Sequence, residues 1–317
     1  MKNLKYLFVI GLVLIIVAAC GSSDSDDQAD SEDTEGNESE TIVVEHELGE
    51  TEIEKNPEKV VVFDFGALDS LDELGVEVAG VAQTNIPSYL DKYESDDYEN
   101  IGSLKEPDFE KIAEIDPDLI LISGRQADLY DQLEELAPTI FVGVDTTRYM
   151  DSFKENAHIL GEIFEKEDEV NTKLDEIDDK IATIKEHAED SGKDALIILA
   201  NDDKISAYGP QSRFGIIHDV FGVPAVDEGI EVSTHGQNVS FEYVVEQDPD
   251  LLYVIDRSAA IGEESAAGAI VENVLMEKTK AMKNDDIHYL APDYWYLSGG
   301  GLISVTEMIN EIDESLQ

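Results

Sequence analysis

The chain has 317 residues, enough for about two domains, each with its own core. It carries 73 acidic residues against 21 lysines and arginines, a formal net charge of −52 at pH 7. A phosphate backbone or an anionic lipid surface repels such a chain, which argues against nucleic-acid binding. The acidity describes a hydrated surface and not a fold.

The first residues, "MKNLKYLFVIGLVLIIVAAC", place Lys2 and Lys5 before an apolar run and small residues before Cys20, the pattern of a signal peptide over 1–19. The end of that segment, "VAAC", resembles a bacterial lipobox, which implies cleavage before Cys20 and lipidation of its thiol. The bland alternative is an uncleaved anchor with an incidental cysteine. Cys20 is the only cysteine, so no intramolecular disulfide can form. A lipid tethers a protein to a membrane without making it span one. Residues 20–40 beyond the anchor are rich in Ser, Gly, Asp and Glu, with Ala29 as the one apolar side chain after Cys20; they predict a disordered tether.

Folded structure is expected from Thr41. "TIVVEHELGETEIEK" alternates β-branched and polar residues about a glycine turn and predicts a hairpin. "KVVVF" (59–63) predicts a buried strand, "GALDSLDELGV" a helix ending at Gly75, and "EVAGVA" and "TIFVGV" further strands. Strands alternating with helices predict a parallel sheet covered on both faces. Between Met150 and about Asp190, Phe153, Ala157, Leu160, Ile163 and Phe164, then Val170, Leu174, Ile177, Ile181 and Ile184, keep a helical period. After it the pattern restarts with "DALIILAN", "KISAYG", "RFGIIHDVFGV" and "IHYLA", and "SVTEMINEIDESLQ" closes the chain as a helix. The expected organisation is an N-terminal α/β lobe over 41–149, a linking helix over 150–172 and a C-terminal α/β lobe over 173–317, with a ligand cleft between two Rossmann-like, parallel-rich lobes.

One stretch occurs twice. "FEKIAEIDPDLILISGR" (Phe109–Arg125) and "FEYVVEQDPDLLYVIDR" (Phe241–Arg257) share a short helix, an Asp-Pro-Asp turn, an apolar strand and a final arginine at an offset of 132 residues. Ligands of open parallel sheets sit beyond the carboxyl ends of strands. Arg125 and Arg257 are therefore expected at equivalent strand ends, facing one another across the cleft, and Arg213 in "GPQSRFG" on the same side.

The chain holds four arginines, and the fourth, Arg148, has no repeat partner and reads as structural. Arg offers a permanent charge, a planar fork of donors and a stacking face. Three in one cleft predict a small, strongly anionic ligand, possible aromatic character included; the competing reading is salt bridging to the abundant carboxylates. His235 lies in "STHGQNVSFEYV", which borders the cleft by the same offset. Tyr294, Trp295 and Tyr296 precede three glycines in "PDYWYLSGGG" and read as an aromatic wall with a close-approach backbone loop. Imidazole and phenolate both ligate a hard trivalent metal. On chemistry alone that role stands level with a hydrogen-bonding loop histidine and ordinary tyrosine burial. The other histidines lack metal-ligand spacing, and no G-x-S-x-G, H-E-x-x-H or phosphate loop is present.

The motifs "SGRQ", "YGPQSRFG", "STHGQNVSFEY", "VIDRSAAIG" and "DYWYLSGGGL" together resemble the substrate-binding lipoproteins of bacterial ATP-driven iron(III)–siderophore importers, from Thr41 onward. The resemblance is closest to the catecholate subgroup that takes up petrobactin-like ferric complexes. It implies a non-enzymatic, monomeric receptor without a cofactor, whose ligand is an iron(III)–siderophore complex and whose partner is an ABC permease with its ATPase. It further implies that Arg125, Arg213 and Arg257 form the basic pocket, that His235 and Tyr296 complete the iron coordination, and that Glu110 and Glu242 dock on the permease. The runner-up is a corrinoid or haem receptor of the same fold. A surface hydrolase needs a nucleophile–base pair that the sequence does not display, and an adhesive module has no use for matched cleft arginines.

Overall fold

The computed structural model describes residues 40–202, 204–265, 267–268 and 274–317. The expected signal peptide, Cys20 and all of the acidic tether except Glu40 lie outside the described residues. From Thr41 the predicted hairpin forms, β1 (Thr41–His46) pairing antiparallel with β2 (Gly49–Glu54).

Two five-stranded sheets follow. The N-terminal lobe is built on β3 (Val60–Val62), β4 (Gly80–Val81), β5 (Glu99–Asn100), β6 (Leu119–Ile122) and β7 (Thr139–Phe141), all parallel, in the order β5-β4-β3-β6-β7. The C-terminal lobe uses β8 (Ala195–Asn201), β9 (Lys204–Tyr208), β10 (Gln237–Val239), β11 (Leu251–Asp256) and β12 (Ile287–Leu290), in the order β10-β9-β8-β11-β12. There β11 runs parallel to β8 and β12, while β9 is antiparallel to β8 and β10. In chain order both sheets wind third-second-first-fourth-fifth. The winding reverses between β3 and β6 in one lobe and between β8 and β11 in the other, which opens a crevice beyond those strand ends.

Helices α1 (Phe65–Glu73), α2 (Phe109–Ile115) and α3 (Tyr130–Glu134) serve the first lobe. After α4 (Tyr149–Ile163) and α5 (Glu167–Ser191) come α6 (Ile216–Asp219), α7 (Phe241–Gln247), α8 (Arg257–Ala260), α9 (Lys280–Asn284) and α10 (Leu302–Leu316). The repeat is real at the level of backbone. Both α2 and α7 stop on an aspartate in the left-handed region, Asp116 (φ 53°) and Asp248 (φ 47°), and the proline that follows cannot continue a helix. The repeated strands are buried on both faces: Leu251, Tyr253 and Ile255 enter one core of the C-terminal lobe, Leu252 and Val254 the other.

The single linking helix expected over 150–172 is two helices. Glu165 adopts φ 52°, and the Lys166 amide donates to the Gly161 carbonyl at 2.8 Å, closing a turn that ends α4. Gly161 lets α5 return closely, since a Cβ there would lie 3.1 Å from Val170 Cγ2. The chain crosses from one lobe to the other along α4. Its Tyr149, Phe153 and Ala157 belong to the C-terminal core, and its Leu160 and Ile163 to the N-terminal core. The predicted apolar stripe Val170, Leu174, Ile177, Ile181, Ile184 is buried, wholly within the C-terminal lobe.

Candidate functional site

The two repeated arginines stand where the sheet windings reverse. Arg125 follows β6 on an exposed turn. Across the reversal lies Asp64, which follows β3 and caps α1 by accepting from the Ala67 amide at 2.8 Å. Loss of solvation pushes the Asp64 carboxyl above its ordinary value, with Arg125 among the groups that pull it back. Arg257 follows β11 and is half-buried. Its Nη1 donates to Asn201 Oδ1, at the end of β8, at 2.7 Å. Asn201 was not singled out in the sequence; its place at the end of "DALIILAN" is the signal that could have found it.

Arg213 and Tyr296 complete a cage on the C-terminal side. Arg257 Nε donates to the Tyr296 hydroxyl at 3.1 Å, and Arg213 Nη2 to the Tyr296 carbonyl at 2.6 Å. The Arg213 guanidinium carbon also sits 4.3 Å over the Tyr296 ring, a cation–π stack. Burial alone raises the Tyr296 phenol, but Arg213 and Arg257 outweigh it and hold the group below its ordinary value. Arg213 itself is lowered, first by burial and next by the like charge of Arg125, so the third cation of the set is within electrostatic reach. The fourth arginine behaves differently: Arg148 pairs with Glu155. Among the described residues Arg125, Arg213 and Arg257 make no ion pair, in a chain with 73 carboxylates.

The aromatic triplet divides three ways because Asp293–Ser298 winds as a π-helical turn, a form that recurs at functional sites. Tyr296 meets the arginines. Tyr294 packs on Tyr89 of the other lobe, ring centroids 4.8 Å apart. Trp295 turns away: it is 2% exposed in the C-terminal core and its Nε1 donates to Glu311 Oε2 at 2.7 Å. It does not line the cleft with its neighbours, contrary to the aromatic wall expected from the sequence. The glycines do allow close approach, but to protein. A Cβ on Gly300 would lie 2.7 Å from Val144 Cγ2, and one on Gly301 would overlap the Asp69 carboxylate.

His235 is exposed on the turn before β10, its amide bonded to Ser233 Oγ at 3.1 Å. Among the described residues His235 and Tyr296 share no hydrogen bond or ring pairing. The loop still borders the cage: Gly236 (φ 71°) lies against the Tyr208 ring, which packs on Phe214, centroids 4.6 Å apart, beside Arg213. Tyr208 is raised to about 12, chiefly by burial and against the pull of Arg213. Glu110 and Glu242 are the exposed second residues of α2 and α7. Glu242 lies below the ordinary carboxyl value through its own backbone N–H and then Ser240. Among the described residues no three His, Cys, Asp or Glu side chains converge as a metal site.

The cage thus offers unpaired guanidinium charge, an acidified phenol and a stacking face to an anionic group. Residues 60–294 match the family model for periplasmic binding proteins. The chain is 49% identical to the petrobactin-binding protein YclQ of Bacillus subtilis, over 100% of both chains. The crystal structure of YclQ aligns with a TM-score of 0.86 at 53% identity, over 88% of this chain and 99% of that one. The ferric-anguibactin-binding protein FatB of Vibrio anguillarum is 34% identical over 87% of this chain and 88% of its own length. The periplasmic catecholate-siderophore binding protein VctP of Vibrio cholerae aligns with a TM-score of 0.82 at 35% identity, over 87% of this chain and all of that one. The chain belongs to the periplasmic binding protein family.

Proposed function

We propose that the protein is an extracytoplasmic receptor that captures a ferric catecholate-class siderophore and hands it to an ABC permease with its ATPase for iron uptake. The observation that carries the reading is the set of three arginines without ion pairs, Arg213 and Arg257 on Tyr296 and Arg125 within electrostatic reach of Arg213. Ferric catecholate complexes are compact, aromatic anions, and the names of the relatives supply the same ligand class. Arg125, Arg213 and Arg257 would neutralise the complex. Tyr296 is already acidified by its two arginines and would give a phenolate to the iron that is the cargo. Tyr294 would border the ligand, and His235 would reach the metal by movement of its exposed turn. Glu110 and Glu242, presented at matching places on the two lobes, would meet the permease. Lys2, Lys5 and the lipobox-like "VAAC" support a lipid anchor on Cys20, and among the described residues no helix is long and apolar enough to cross a membrane.

The test is a titration of the protein with ferric bis-catechol, ferric tris-catechol, ferric hydroxamate, haem and cobalamin, followed through the ligand's own absorption band. Tight binding confined to the ferric catecholates is expected. A response to haem or cobalamin alone would transfer the site to the corrinoid or haem class, and no response at all would remove the ligand reading.

A further inference from the structure

The first-turn amides of a helix need acceptors, usually from the helix's own N-cap residue. For α10 that residue is Gly301, which has no side chain. The acceptors come instead from α1 in the other lobe. Ser70 Oγ accepts from the Leu302 amide at 3.1 Å, Asp69 Oδ1 from Ile303 at 2.9 Å and Asp69 Oδ2 from Ser304 at 2.8 Å. Asp69 is fully buried. A buried carboxylate without a cation is tolerated here because it sits at the positive end of a helix and both oxygens are used. Burial pushes its carboxyl up to about 6, which leaves it ionised at neutral pH.

The same carboxylate reaches the segment that carries Tyr296. The Tyr89 hydroxyl lies 3.0 Å from Asp69 Oδ2 and 2.7 Å from Ser298 Oγ, and the Tyr89 ring packs on Tyr294. Residues on both sides of Tyr296 are therefore held by Tyr89, which Asp69 holds in turn. The glycines fit this arrangement: a Cβ on Gly66 of α1 would meet the Gly300 and Gly301 backbone at 3.0 and 3.1 Å.

We propose that Asp69 is the positioning residue of the site: capping the C-terminal lobe's last helix from the N-terminal lobe, it fixes the lobe-to-lobe angle and seats Tyr296 between Arg213 and Arg257. The proposal rests on the reading of Tyr296 as ligand-facing, and the test separates the two. Asp69→Asn, nearly isosteric, and Asp69→Ala are made in the full chain. The ultraviolet titration of Tyr296, isolated by difference against Tyr296→Phe in each background, needs no ligand. In the wild type that step lies below the ordinary tyrosine value; in both variants it moves back up, more in Asp69→Ala, as the ring leaves its arginines. Amide exchange at Ile303 and Ser304 accelerates, and affinity for ferric bis-catechol falls about tenfold, the scale of a lost cap. A Tyr296 step that stays put while the two amides lose protection overturns the positioning role. Wild-type indifference to ferric catecholates overturns the ligand reading alone, because the phenol titration still decides the positioning.

Discussion

In the N-terminal lobe the repeated arginine, Arg125, is exposed and has the Asp64 carboxylate as its neighbour across the winding reversal. In the C-terminal lobe its counterpart, Arg257, is half-buried, its neighbour across the reversal is the neutral Asn201, and a second cation, Arg213, covers the same tyrosine. The same seventeen-residue pattern thus delivers a partly compensated charge on one wall and an uncompensated pair on the other. Charge that is buried and unpaired is the more costly to hold and the more valuable to a ligand that desolvates it. The binding energy is expected to be lopsided toward the C-terminal lobe.

The comparison is broken most severely by Arg213→Ala, which removes both the ring stack and the bond to the Tyr296 carbonyl. Ferric-catecholate affinity is expected to fall about a hundredfold, the scale of a lost charge-assisted contact, as read by equilibrium titration. Asn201→Asp makes the C-terminal wall resemble the N-terminal one by giving Arg257 a carboxylate. It is expected to cost about tenfold in the same titration and to raise the Tyr296 phenol by competing for the guanidinium. Arg125→Ala should cost least of the three, about threefold, because the exposed arginine is already screened by solvent and by Asp64. An Arg125→Ala loss larger than that of Arg213→Ala would invert the comparison.

Much of this was legible in the chain. The duplicated stretch, with its Asp-Pro-Asp stop and arginine at a fixed offset, placed both strand ends correctly because helix stops and buried strands are set by local residues. The break at Phe164–Lys166 was not legible, since the apolar period runs through it and only the tight return of α5 onto Gly161 demands the turn. The strands β5 and β10 are short and carry no apolar alternation. Trp295 was misplaced because three aromatics in a row have no period, and a π-helical turn decides which one faces the arginines. Asn201 had only its place at the end of a strand as a signal, and Asp69 is a lone polar residue with no local signature; the helix amides that Asp69 caps lie more than two hundred residues away, in the other lobe.

A smaller effect concerns stability. His218 and His288, both in the C-terminal lobe, are held below the ordinary histidine value, chiefly by burial. Above about pH 6.5 they are neutral whether folded or unfolded. As pH falls through that value the unfolded chain takes up protons first, so their contribution turns destabilising. Asp69, raised instead of lowered, works in the opposite direction over lower pH. His218→Gln, which removes one of the two lowered histidines, is expected to lose less melting temperature than the wild type between neutral and mildly acidic buffer in a calorimetric series.

The most direct measurement is the position of iron. Crystals of the protein grown with ferric bis-catechol, with data collected at the iron absorption edge, would give it without reference to any assumed pose. The account predicts one anomalous peak beside the Tyr296 hydroxyl, with the catecholate rings against Arg213 and Arg257. A peak bound elsewhere on the chain, or a ligand seated in the cleft with Tyr296 still bonded to Arg257 and remote from the metal, would contradict it.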